Sequence, residues 1–287
     1  VPVPEAAPDE VQTLALAAAV PAPATSRIST GSDTYGAAVL TSRTLFPSGA
    51  ATVLITPVSS PGFSAAVAQL AAEYGASVLP VPATSLPSSI AAELRRLAPS
   101  RVIIFGGWPY LSTPVINAIR AVVPFAEHIG GESLQETSRQ GFARSTAPAA
   151  TAYMTSVGTI EDVALGATLA AAASSRFVVV NATAGLDQVM IDTLGAAGTQ
   201  SIVFAHSTSN VADAYLASLR PAGFAVEFRS NRDPYAMAAQ IAGTAGARPT
   251  TAVVVNPARP EDLRIAAVVA GVTRQPNYLA WWGGVPD

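Results

Sequence analysis

Two stretches far apart in the chain place an acid and a tyrosine at the same spacing: Asp33 with Tyr35 in RISTGSDTYGAA, and Asp233 with Tyr235 in SNRDPYAMAA. In a loop or short strand an i, i+2 pair points to one side. A tyrosine offers a flat apolar face and a hydroxyl, which suits stacking on a sugar as well as packing between repeats. Arg27 and Arg232 stand beside these pairs. A guanidinium matches phosphate or carboxylate oxygens two at a time, and an intramolecular salt bridge is the other use open to each. Asp162 and Asp262 follow apolar, strand-like runs, where open α/β sheets place ligands. The same position is that of a helix start, where a carboxylate meets free N–H groups and the positive end of the helix. Phe63 fills the equivalent slot in the first third of the chain, which argues against a catalytic carboxylate repeated in every copy.

Patterns that would signal catalysis are absent from the sequence: there is no G-x-S-x-G, H-E-x-x-H, Walker loop or G-x-G-x-x-G. With two histidines and no cysteine, a multi-histidine or thiolate metal site and a disulfide framework are both out of reach. His206 falls where the first third has Gly107, at a strand end; it reads either as ligand-facing or as a surface or capping histidine. The expectation is a chain with no catalytic residue, no metal and no cofactor.

The elements that must carry these residues follow from composition and periodicity. Half of the 287 residues are apolar and 12% charged, with a net charge of −3, which argues against phosphate-backbone binding, since that needs clustered basic charge. All sixteen basic residues are arginine, and Arg95-Arg96 read as the solvated face of a helix. No run reaches the roughly 18 apolar residues of a membrane span. The chain begins at valine, which predicts removal of a leader or an upstream domain. Residues 1–25 are rich in proline and alanine and read as an extended tether.

Beyond the tether, strands and helices alternate. ATVLIT (51–56) is an apolar β-branched run, and FSAAVAQLAAEYG (63–75) has helical spacing with a terminal glycine. SVLPV gives a second strand; SLPSSIAAELRRLAPS a helix with Ser85 as its N-cap; RVIIFGG a third strand; and STPVINAIRAV another helix. Such alternation predicts parallel sheets with right-handed crossovers and helices on both faces.

Sliding the chain along itself by 99 to 100 residues superimposes VLITP, YMTSV and VVVNP. The helix pieces FSAAVAQLAA, DVALGATLAA and DLRIAAVVAG follow in register, with Phe63, Asp162 and Asp262 equivalent. Val78-Leu79-Pro80, Phe177-Val178-Val179 and Asn277-Tyr278-Leu279 also coincide. RVIIFGG answers to QSIVFAHS with one residue deleted nearby, and the third copy holds about 60 residues of a unit of about 100. The two opening stretches, with HIGGESLQETS between them, are the starts of the three units.

A unit that opens R-I-x-G-x-D-R-Y-x-T-A and continues through an apolar strand, a P-D-A-L helix, an A-P-I-L-L-T strand and a strand ending in G-G resembles the type 2 cell-wall-binding repeat of Gram-positive surface proteins. Gly31, Asp33 and Tyr35, Gly131 and Thr137, Asp233 and Tyr235, the Pro260-Glu261-Asp262-Leu263 stretch and IIFGG ending at Gly107 carry the likeness. The family arginine before the tyrosine is replaced by Thr34, Leu134 and Pro234, and its I-L-L triplet by the three triplets given above.

The resemblance implies three tandem Rossmann-like α/β lobes with parallel sheets in a pseudo-threefold arrangement, the third partial: repeats at 26–124, 125–223 and 224–287. It further implies an extracellular, cell-wall-associated anchoring module that binds an anionic or carbohydrate secondary wall polymer. Neighbouring surface proteins are a further class of partner, with no nucleic acid and no membrane span. The residues expected to meet the polymer are Arg27, Asp33, Tyr35, Val78, Leu79, Phe177, Val178, Arg232, Tyr235, Tyr278 and Leu279. A hydrolase acting on wall glycan or a small substrate at a strand-end cleft is the alternative, and a surface-layer assembly module the third reading.

Overall fold

Asp33 opens the first helix, α1 (Thr34–Leu45), in a computed structural model that describes residues 33–108, 110–181, 185–207, 212–243 and 251–279. The tether, Arg27 and Gly31 lie outside the described residues. After α1 come β1 (Thr52–Pro57), α2 (Pro61–Ala66), α3 (Ala68–Tyr74), β2 (Ser77–Val81), α4 (Ser88–Leu97), β3 (Arg101–Phe105), α5 (Thr113–Val122) and β4 (Glu127–Ile129). The four strands form one parallel sheet in the order β2-β1-β3-β4. Strand β1 is buried at all six positions because it lies inside the sheet with helices on both faces, which is why it reads as a continuous apolar run rather than an alternation.

The second lobe repeats this plan with α6 (Leu134–Arg144), β5 (Thr151–Ser156), α7 (Ile160–Ala172), β6 (Phe177–Val180), α8 (Gln188–Ala196), β7 (Ser201–His206), α9 (Ala212–Leu219) and β8 (Ala225–Ser230). Its sheet order is β6-β5-β7-β8, again parallel. The third lobe contributes α10 (Pro234–Gly243), β9 (Val253–Val255), α11 (Pro260–Thr273) and β10 (Asn277–Leu279), with β9 and β10 paired in parallel. Val53 faces Ser77, Tyr153 faces Phe177 and Val253 faces Asn277, so the first two strands of each lobe keep one separation along the chain. The fold is the α/β, Rossmann-like arrangement of three lobes that the sequence implies.

Two expectations are corrected. The helix read over 63–75 divides at Val67, where ψ is 0° and the N–H turns back to Phe63 and Ala65 carbonyls. Ser85 is not an N-cap: α4 starts at Ser88, with Pro87 in the extended conformation (ψ 140°) at the cap position and no side-chain cap bond.

Small residues let the equivalent helices α3, α7 and α11 meet at the centre. Their alanines, with Phe63, Leu165, Leu169 and Leu263, belong to one buried cluster that includes residues of all three sheets. The approach is closest at Gly271, where a Cβ would stand 2.6 Å from the Ala68 carbonyl oxygen. The first and second lobes each have a separate outer core, built around Ile55, Leu94 and Ile104 and around Met154, Phe204 and Tyr215.

The start of each unit is divided between two lobes. Strand β4 completes the sheet of lobe one, whereas α6, five residues later, packs on β6 of lobe two, where the Ser138 hydroxyl accepts from the Val179 N–H at 2.9 Å. In the same way β8 closes sheet two, and α10 packs into the core beside β10. The paired glycines of the motif serve this exchange: a Cβ on Gly107 would lie 2.5 Å from the Gly131 carbonyl oxygen.

Candidate binding surface

The residues that open each unit are helix starts. Asp33 accepts from the N–H groups of Tyr35 and Gly36 at 3.1 and 3.0 Å, Ser133 from Glu136 at 3.1 Å, and Asp233 from Tyr235 at 3.0 Å. Each side chain satisfies donors that the first helical turn leaves without partners. The Asp–Tyr spacing therefore marks a cap and not a shared ligand-facing pair. Tyr35 is half-buried against the outer core of lobe one, Tyr235 against the central core, and Arg232 is exposed between β8 and α10.

The triplet positions lie on the second strand of each lobe and point mostly inward. Leu79, Phe177, Val178 and Leu279 are 3% exposed or less, and Val78 is 8% exposed. They pack because a parallel strand covered on both faces has no solvent side. As placed, Leu79, Phe177, Val178 and Leu279 offer a polymer no surface, which corrects their assignment as contact residues; Tyr278 is half-buried.

Val78 lies at the cleft between lobes one and three, and Tyr35 is near enough to act on the charge of Arg264 there. Ala38 and Thr41 of α1, Ser64 of α2, Val78 and Pro80 of β2, and Arg264, Ile265 and Val268 of α11 line it. Sequence reasoning misses Arg264, because an arginine in a helical run reads as solvated. Burial lowers its pKa from the usual arginine range, against the opposing fields of Glu261, Tyr35 and Asp262. The signal in the sequence is the contrast with the equivalent positions, Ala65 and Ala164, both fully buried.

The strand-end aspartates differ from each other. Asp162 is buried in the first turn of α7, where Thr159 Oγ1 caps its N–H at 3.2 Å and its Oδ2 accepts from Ser207 Oγ at 3.0 Å. Burial pushes its pKa up, against the hydrogen bonds from Ser207 and Thr159. Asp262 instead meets Arg259 Nε at 3.3 Å. His206 does not lie at the surface. It is 1% exposed, edge-on to Phe204 and Phe228 with ring centres 5.2 and 5.9 Å away. Among the described residues no three acidic or histidine side chains are grouped to hold a metal, and no helix is long and apolar enough to cross a membrane.

No family model matches the chain, and no curated protein matches it in sequence. Two solved structures are similar to it. Cwp6 from Clostridium difficile superimposes with a TM-score of 0.77 at 19% identity over 89% of this chain and 41% of that one. Cwp8 from the same organism gives 0.76 at 22% identity over 87% and 44%. The chain thus spans less than half the length of either structure, and what it shares with them is the fold.

Proposed function

We propose that the chain is a non-catalytic module that fixes a secreted protein to the wall of a Gram-positive bacterium by non-covalent binding of an anionic or carbohydrate wall polymer. The observation that carries this reading is the superposition of nearly nine-tenths of the chain on Cwp6 and Cwp8, cell wall proteins of Clostridium difficile. The repeat motifs support it independently, since their residues do in this chain what a tandem module requires: they cap helices, join lobes and build a central core. Fold alone does not specify a ligand, so the reading is tested on the ligand itself. The chain is mixed with purified cell walls before and after chemical removal of secondary polymers, then sedimented. Retention on intact walls and loss from stripped walls is the expected result. Failure to sediment with intact walls overturns the reading, and retention on both identifies peptidoglycan as the target.

A further inference from the structure

Arg264 is 3% exposed, and neither its Nε nor its Nη2 has a hydrogen-bond partner among the described residues. Buried donors left without hydrogen bonds are costly, and in a native fold they call for an explanation, a bound ion among them. Its neighbours do not supply one. Glu261 and Asp262 lie on the same helix and both contact Arg259 Nε, at 3.5 and 3.3 Å; they provide field but no hydrogen bond to Arg264. Among the hydroxyls of the cleft, Thr41 donates to the Ala37 carbonyl at 2.9 Å and Ser64 pairs with Thr56 at 2.6 Å. Packing does not require an arginine either, because Ala65 and Ala164 fill the same position in the other two helices.

The cleft leaves room beside the guanidinium. It holds about 270 Å³ of empty space, part of it open to solvent. Val78, Pro80, Ile265 and Val268 line it beside Arg264, and apolar surroundings strengthen a charge-assisted bond made there.

We infer that the cleft between lobes one and three is an anion site, in which the Arg264 guanidinium holds one terminal phosphate or carboxylate group carried on a larger molecule. Nε and Nη2 are adjacent donors of the guanidinium fork and can bind two oxygens of one such group. The inference depends on the anchoring reading only for the identity of the carrier, a wall polymer; the anion can be tested alone.

The test is thermal unfolding of the full chain in inorganic phosphate, in acetate and in chloride, at equal ionic strength and pH 7, for the wild type and Arg264→Met. Phosphate, acetate or both should raise the wild-type Tm by one to several degrees over chloride, and the larger shift names the source of the charge. Arg264→Met should lose that shift while melting no lower than wild type in chloride, because it removes an unpaired buried charge. Arg264→Lys, which keeps the charge without the fork, should retain part of the shift and answers the question if the methionine variant folds poorly. Equal anion shifts in wild type and both variants, no shift in any, or a methionine variant destabilised without any anion effect would overturn the site. Sedimentation with walls is read separately. Wild type stabilised by phosphate yet absent from the wall pellet removes the anchoring reading and leaves the site, whereas Arg264→Met pelleting as well as wild type shows that the carrier is not the wall.

Discussion

Ser145 Oγ, in the segment that enters the second lobe, donates to Oε2 of Glu73 on α3 of the first at 2.5 Å. Thr146 adds its N–H and hydroxyl to Oε1 at 2.7 and 2.8 Å. The carboxylate thereby joins two lobes through groups that no single lobe contains.

Burial alone would raise the Glu73 pKa, but the bonds from Ser145, Thr146 and Gln69 together hold it below its ordinary value of 4.5. A depressed folded-state pKa gives stability that is present above 4.5 and is lost as the pH falls through the lower value. Glu73→Ala should cost about 1–3 kcal/mol at neutral pH, towards the lower end because the group is half-buried. The variant should also lose less stability than wild type on acidification below pH 4.5. Chemical denaturation across a pH series checks both.

Asp162 gives the opposite sign. Its raised pKa means that the wild type loses stability as pH rises from 3.8 through the folded-state value. Asp162→Asn keeps the Ser207 bond to an amide oxygen and removes a buried charge. It should melt at the wild-type temperature or above at pH 7, with a flatter pH profile, and should pellet with walls as well as wild type. A turnover measured in the wild type and abolished in Asp162→Asn would favour the hydrolase over the anchor.

Glycine at the centre is required by contact, not by conformation. Gly271→Ala puts a methyl into the Ala68 carbonyl, and overpacking of this kind costs about 1–3 kcal/mol, more than the gain of about 1 kcal/mol in helix propensity. A methyl on Gly195 in α8 would meet nothing within 4 Å, so Gly195→Ala should stabilise by roughly 0.5–1 kcal/mol. Opposite shifts in Tm for the two substitutions test the packing of α11 on α3.

Salt dependence distinguishes a buried from an exposed contact. Charges in water are screened over about 10 Å at 0.1 M salt, buried ones much less. With Arg264 buried and the tyrosines half-buried, wall retention should fall less than about threefold between about 0.05 and 0.5 M salt. Tyr35→Ala combined with Tyr235→Ala should lower retention and Tm together, since both rings pack on cores. Tyr35→Phe, with circular dichroism to confirm folding, separates the hydroxyl from the packing.

The first strand of each lobe is legible in the sequence: burial on both sides writes β1 as an apolar run, and β5 and β9 lie where the repeat of VLITP, YMTSV and VVVNP puts them. The one-residue difference between units is visible as well, with Thr52 facing Arg101 but Thr151 facing Ser201. Short edge strands are not legible. The three residues of β4 and the alternately exposed β8 acquire strand geometry from the sheet beside them, not from their own composition. The binding candidates rest on triplets that burial has claimed for packing. Arg264 escapes a reading of one helix because its meaning lies in a comparison among three copies, where Ala65 and Ala164 stand at its position, and in a burial that only the packed lobes reveal.

The exchange of β4 and β8 between units also determines how the chain carries force. A pull along the backbone between the first two lobes passes through the β3–β4 ladder, whose parallel strands share the load among several hydrogen bonds at once. The lobes are hooked like links of a chain, each of the first two sheets having as its outermost strand the one that leads into the next lobe.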